Sequence, residues 1–165
     1  MIIAVSNYVA EPSCGHTGEK VTSAHHVGFT VSDLDRTIAM FTDVLGYRLT
    51  SRRRRPPGNI GRITGIPGAR VEVAHLHRDG MVGVELITYL APHDRGAIEG
   101  RPCDTGFVHL TYSVTDIEAV IAAAAAHGWR SIGEIIVSQS EANPGAMAAY
   151  LRDADGLALE LIQPA

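Results

Sequence analysis

The sequence predicts an α+β fold made of two pseudo-symmetric βαβββ modules, and three observations carry that expectation. First, His26-Val-Gly-Phe-Thr-Val-Ser-Asp-Leu-Asp35 returns 83 residues later as His109-Leu-Thr-Tyr-Ser-Val-Thr-Asp-Ile-Glu118. Second, in each copy a His opens an alternating stretch, and a Ser-Asp or Thr-Asp pair then starts an apolar segment of helical period. That segment holds Ile38, Phe41 and Leu45 in one copy and Ile117, Val120 and Ile121 in the other. Third, each copy closes on the same phrase, Val84-Glu85-Leu86-Ile87 and Leu159-Glu160-Leu161-Ile162. A duplication with one His and one Glu per copy is the fact to explain.

Length and composition set the bounds. With 165 residues, 45% hydrophobic and 19% charged, the chain is globular, either one domain or two small modules sharing a core. Its net charge of −4 argues against a general nucleic-acid partner. No apolar run approaches the ~18 residues of a membrane span. Met1–Tyr8 lacks a basic region and a sustained apolar segment, so no secretory leader is expected. Two cysteines, Cys14 and Cys103, suit a reducing compartment, and the cytoplasm is the expected setting.

Residues 1–23 carry little pattern and read as an N-terminal extension, in which Cys14 and His16 make only a weak metal pair. The first module spans 24–90. Ala24 to Val31 alternates as a strand, and Ser32 or Asp33 caps a helix that Gly46 ends, with Asp35 completing a capping box after Ser32. Tyr47 to Ser51 is a short strand. Arg52 to Pro57 reads as a loop with four consecutive arginines, and Thr64 to Gly68 as a turn-rich connector. Ala69–Leu76 and Met81–Leu90 are two strands joined at Asp79-Gly80. Residues 91–105 form a linker. The second module, 106–165, runs strand Phe107–Val114, helix Asp116–His127 with Thr115 and Glu118 as capping box, then strands near Trp129–Val137, Ala146–Leu151 and Leu157–Ile162.

Alternation selects the candidate site. In both opening strands the His shares a face with small polar residues, His26, Gly28 and Thr30 or His109, Thr111 and Ser113. The opposite faces are apolar and suit packing under helices. By the same parity Glu85 and Glu160 turn toward the histidines, with Ile87 and Tyr89 beyond Glu85. Two open faces set together, with helices outside, would enclose a cleft. A carboxylate facing such an interior is costly unless it is paired, protonated or bound to a cation. Two imidazoles and two carboxylates supply a site for a divalent cation with positions left open for water or substrate. His75 and His77, two apart on one strand, form a possible chelate, but the second copy lacks a matching His-x-His and they read as solvent-side. His25 reads as facing away from His26. The arginine loop, Arg52 and Arg54 foremost, is either a solvated turn or an anchor for a phosphate or carboxylate.

The motifs His26–Asp35 with Val44-Leu-Gly-Tyr47, Glu85-Leu-Ile87, His109–Val114 and Leu151-Arg-Asp-Ala-Asp-Gly-Leu-Ala-Leu-Glu-Leu-Ile162 resemble the vicinal oxygen chelate superfamily over residues 24–165. That superfamily includes glyoxalase I, methylmalonyl-CoA epimerase, extradiol dioxygenases and bleomycin-resistance proteins. The resemblance implies the glyoxalase/bleomycin resistance/dioxygenase fold. It also implies a divalent metal (Ni, Co, Mn, Zn or Fe) chelated by two substrate oxygens or stabilising an enolate. The set His26, Glu85, His109, Glu160 matches the bacterial glyoxalase I ligands residue by residue. It is similar to the epimerase set, in which Gln often stands at the position of Glu85. Two departures stand out: no Asp or Glu lies between Asp43 and Glu72, where such epimerases carry a catalytic carboxylate, and Asn143–Ala146 has no lysine of the kind that glutathione-using relatives carry.

The expected protein is thus a metal-dependent isomerase, epimerase or lyase acting on a carbonyl compound, of the 2-oxoaldehyde thiohemiacetal or acyl-CoA type. Glu160, or else Glu85, would act as base, and Thr30, Ile87, Tyr89, Thr111 and Ser113 would shape the pocket. The alternatives are an Fe(II) extradiol-type dioxygenase and a small-molecule binding or resistance protein of the same fold. The partners expected are a small-molecule substrate, anionic if the arginine loop is an anchor, and a second copy in a homodimer. Sequence leaves open whether each cleft forms within one chain or across two.

Overall fold

The computed structural model describes residues 20–56 and 58–165. The Cys14–His16 pair lies outside the described residues. Strands β1 (His26–Thr30), β2 (Arg48–Arg54), β3 (Arg70–His77) and β4 (Gly83–Ala91) form a four-stranded sheet in the order β1-β4-β3-β2. Strands β5 (His109–Ser113), β6 (Arg130–Ser131), β8 (Met147–Arg152) and β9 (Ala158–Gln163) repeat it as β5-β9-β8-β6, and β7 (Ile136–Val137) pairs separately with β8. In both sheets the His strand runs parallel to the Glu strand, and the remaining pairings are antiparallel. This is the repeated α+β module that the duplication predicts.

Each His strand leads into a helix, and an aspartate starts both. Asp33 caps α1 (Leu34–Ala39) by accepting from the Arg36 amide at 2.9 Å. Asp116 caps α3 (Ile117–Ala125) through the Ala119 amide, also at 2.9 Å. The expected Ser32 and Thr115 boxes are therefore shifted by one residue. The amide of Ser32 instead donates to Asp155 of the second module at 2.7 Å. Beyond Ala39 the first helix widens into a π-helical stretch, Met40–Val44, whose Met40 and Phe41 side chains are fully buried. Gly46, at φ +69°, supplies the left-handed turn that ends it. A further short helix, α2 (Asn59–Thr64), stands where sequence pattern had assigned no element.

Two strands differ from expectation. β2 continues through Arg54, so Arg52, Arg53 and Arg54 lie in a strand rather than a loop. Pairing with β3 extends it, and its place at the sheet edge tolerates the charge. The strand expected over 129–137 splits into β6 and β7, both against β8.

The apolar faces of the two modules share one core. Leu34, Phe41 and Leu86 join Ile117, Leu159 and Leu161 in a single buried cluster. At its centre the Tyr112 hydroxyl donates to that of Tyr47 at 3.1 Å, and Tyr47 donates to the Val82 carbonyl at 3.3 Å. Asp43 beside His127 (3.9 Å) and Arg36 beside Asp155 (3.9 Å) add polar ties between the modules. The helix-bearing faces are thus turned toward one another. That corrects the expectation of helices on the outside of a cleft closed within the chain.

Candidate functional site

The register brings each predicted His–Glu pair together. Gly28 lies opposite Glu85 and His26 opposite Gly83, so β1 and β4 present His26, Gly28, Thr30, Glu85 and Ile87 on one face. His26 Nε2 lies 3.5 Å from Glu85 Oε2. The second module repeats this with Thr111 opposite Glu160, and His109 Nε2 lies 3.5 Å from Glu160 Oε2. Both imidazoles are about one-third exposed, while Glu85 and Glu160 are 16% and 21% exposed. These are open surfaces on the side away from the shared core. Two ligands at ~2.1 Å from one ion in cis positions sit ~3 Å apart, so either pair needs little movement to clasp a divalent cation. Among the described residues, however, no three of His, Cys, Asp and Glu converge to hold a metal ion. One chain carries two separate His–Glu pairs.

The remaining predicted residues divide by position. Thr111 donates to Glu160 at 2.8 Å. Thr30 and Ser113 are exposed at the ends of their strands, and Ile87 and Tyr89 are half-buried along β4. A groove of about 920 Å³ flanks β1 and is lined by Gly28, Thr30, His93, Phe107 and Asp155, among others; it leaves His26 and Glu85 outside.

Arg52 and Arg54 require correction. Arg52 pairs with Ala74 and Arg54 with Glu72, on the strand face that bears α1. There Arg52 is ion-paired to Asp35 and to Glu72 (2.7 Å), and Arg54 approaches Glu72 at 3.7 Å. The hydrogen bonds to Asp35 and then Glu72 hold the Arg52 guanidinium above its already high ordinary pKa. Alternation gives the open face to Arg53 and Arg55 instead, and Arg55 Nη2 lies 3.7 Å from Glu85 Oε1.

Two further residues join the site face: His75, which the sequence pattern places on the solvent side, and Tyr150, which it does not single out. His75 lies opposite Glu85 in the β3–β4 ladder, with Nε2 3.1 Å from Glu85 Oε1 and Nδ1 2.9 Å from the Ser51 hydroxyl. It belongs to the site face, whereas His77 turns to Asp79 at 2.9 Å. Its counterpart is Tyr150, opposite Glu160, whose hydroxyl lies 3.3 Å from His109 Nε2. Burial, and after it the Glu160 carboxylate, holds the Tyr150 phenol above its usual pKa. The common spacing was the available signal: 75 to 150 equals 85 to 160. His25, expected to face away, has its Nδ1 2.7 Å from that of His26.

The halves therefore differ. Glu85 is approached by His26, His75 and Arg55; Glu160 has His109 and the Thr111 hydroxyl. Paired βαβββ modules with His and Glu at equivalent open-face positions define a class of two-module α+β proteins. Within it, the chain belongs to the Glyoxalase/Bleomycin resistance protein/Dioxygenase superfamily, whose sequence profile matches residues 25–150. It is 29% identical over 153 residues to a 2-epi-5-epi-valiolone epimerase of Actinomyces sp, covering 88% of this chain and 83% of that one. It is 28% identical over 138 residues to a lactoylglutathione lyase of Arabidopsis thaliana, covering 84% of this chain and 43% of the relative. Among solved structures, a glyoxalase family protein from Bacillus cereus superposes with a TM-score of 0.76 at 26% identity, covering 91% of this chain and 99% of that one. Among the described residues no helix is long and apolar enough to cross a membrane.

Proposed function

We propose that the protein is a divalent-metal enzyme acting on a small carbonyl compound, as an isomerase, epimerase or lyase. The observation that carries this reading is the recurrence of a His–Glu pair at 3.5 Å on the open face of both modules. The ligands would be His26, Glu85, His109 and Glu160, for Ni, Co, Mn, Zn or Fe. The two half-sets are separate in one chain, so the complete site draws His26 and Glu85 from one copy and His109 and Glu160 from a second, in a homodimer. When bound, the metal polarises the substrate carbonyl and stabilises negative charge developing on its oxygen.

The chain's own residues supply the rest. Glu160 is the base that takes the proton beside the carbonyl. Among the described residues it has no guanidinium beside it of the kind that holds Glu85, and the Thr111 hydroxyl steadies it. Glu85, held by His75 and Arg55, is the more static ligand. Thr30, Ile87, Tyr89, Thr111 and Ser113 shape the pocket across the modules 24–90 and 106–165, with 91–105 as the link. The names of the epimerase and lyase relatives agree with proton transfer next to a carbonyl. A cytoplasmic setting suits this chemistry.

Elemental analysis of chelator-free protein supplemented with each metal tests the reading. About one ion per chain is expected, and Glu160→Ala should lose most of it. Metal-free parent protein, or full retention in Glu160→Ala, would contradict it. Turnover should place solvent deuterium on a substrate carbon without oxygen uptake; oxygen consumption tied to turnover would favour the dioxygenase alternative.

A further inference from the structure

The arginine run divides by strand parity, and the two faces it serves are charged differently. On the helix-bearing face two guanidiniums, Arg52 and Arg54, meet two carboxylates, Asp35 and Glu72. On the His–Glu face Arg55 approaches Glu85, which His26 and His75 also crowd, and Arg53 shares that face by strand parity. Arg53 is exposed and has no carboxylate within 4.0 Å among the described residues. Among the described residues the site face therefore holds more positive charge than it neutralises.

Register fixes where that excess lies. Arg53 pairs with Val73, and Val73 pairs with Ile87, one alternation beyond Glu85. Val73 is 2% exposed and gives an apolar floor between the Arg53 strand and Ile87. Two inter-strand spacings make the distance from β2 to β4 roughly 10 Å, within reach of an arginine side chain extended over that floor. Forked guanidiniums at an open surface recognise carboxylates and phosphates. We propose that Arg53 and Arg55 form an anion subsite, and that the substrate is a carbonyl compound bearing a carboxylate or phosphate a few bonds from its carbonyl. This rests on the reading of the His26–Glu85 face as part of the substrate site. Arg55 keeps its contact with Glu85 and offers its remaining N–H groups to the anion, while Arg53 closes on the anion from the strand edge.

The test uses the full chain, with and without Zn(II), and three probes followed by calorimetry: pyruvate, dihydroxyacetone phosphate and uncharged dihydroxyacetone. At least one anionic probe should bind the parent ~10-fold or more tightly than dihydroxyacetone, since each charged hydrogen bond is worth enough for such a change. That advantage should vanish in Arg53→Gln/Arg55→Gln and persist in Arg52→Gln/Arg54→Gln. The identity of the better anion tells carboxylate from phosphate. Equal binding of all three probes, or equal loss in both double variants, would overturn the subsite. Arg53→Gln alone, at an exposed position, must show part of the loss should the double variant unfold. Uptake of Ni, Co, Mn, Zn and Fe is read separately, so a protein that binds none of them but keeps the Arg53/Arg55 dependence refutes the metal reading and leaves the subsite standing.

Discussion

At the scale of the residue, chemistry follows from which neighbours a strand register delivers. Asp153 is 2% exposed and accepts from the Asp155 and Leu157 amides, both at 2.9 Å. Burial raises its carboxyl above the ordinary 3.8, although those amides pull the other way. A folded pKa above the unfolded one stabilises the fold below the unfolded value and loses that contribution as pH climbs through the folded one. Asp153→Asn keeps the accepting oxygen and removes the charge. It should therefore melt near the parent at pH 4 and above it at pH 7, whereas Asp153→Ala should lose roughly 1–3 kcal/mol at both. Parallel melting curves for parent and Asn variant across that range would refute this. The His26–Glu85 and His109–Glu160 pairs were legible because the duplication repeats them. His75 was misread as solvent-side because the second copy carries no His there; the equivalent position holds Tyr150, and only the shared ladder position opposite a Glu reveals the kinship.

At the scale of the element, the helices and inner strands were legible from period and caps, and the edge was not. A stretch of four arginines looks like a solvated turn by composition. Pairing with β3 and the Asp35 and Glu72 carboxylates hold it as strand, and neither partner is local in sequence. The same holds for α2, six residues between glycines with no apolar period to announce it. Its packing leaves a sharp test. A Cβ on Gly61 would lie 2.7 Å from the Ile66 carbonyl oxygen, a backbone atom that cannot swing aside. Gly61→Ala should cost about 1–3 kcal/mol in urea unfolding. Gly58→Ala meets no atom within 4 Å, and its cost is that of a left-handed backbone, φ +97°. A neutral Gly61→Ala would mean that the α2–β3 corner repacks.

At the scale of the whole molecule, one core binds the modules back to back and leaves both His–Glu faces outward. The seam is polar at its centre. Burial, and after it the contact with Tyr47, holds the Tyr112 phenol above its ordinary range, so it remains a donor at neutral pH. Tyr112→Phe removes one donor and should cost about 0.5–1.5 kcal/mol; Tyr47→Phe strands both the Tyr112 hydroxyl and the Val82 carbonyl and should cost about 1–3 kcal/mol. The reverse order in urea unfolding would contradict the seam. Outward His–Glu pairs also make the proposed metal site a property of two copies, which subunit mixing tests most directly. Glu85→Ala and Glu160→Ala homodimers are each defective at both sites. Unfolded together and refolded, they form mixed dimers in which one site pairs an intact His26–Glu85 face with an intact His109–Glu160 face. Random pairing makes half the dimers mixed, so roughly one quarter of the parental tight metal sites should return. A mixture that holds no more metal than either variant alone would contradict a site shared between copies.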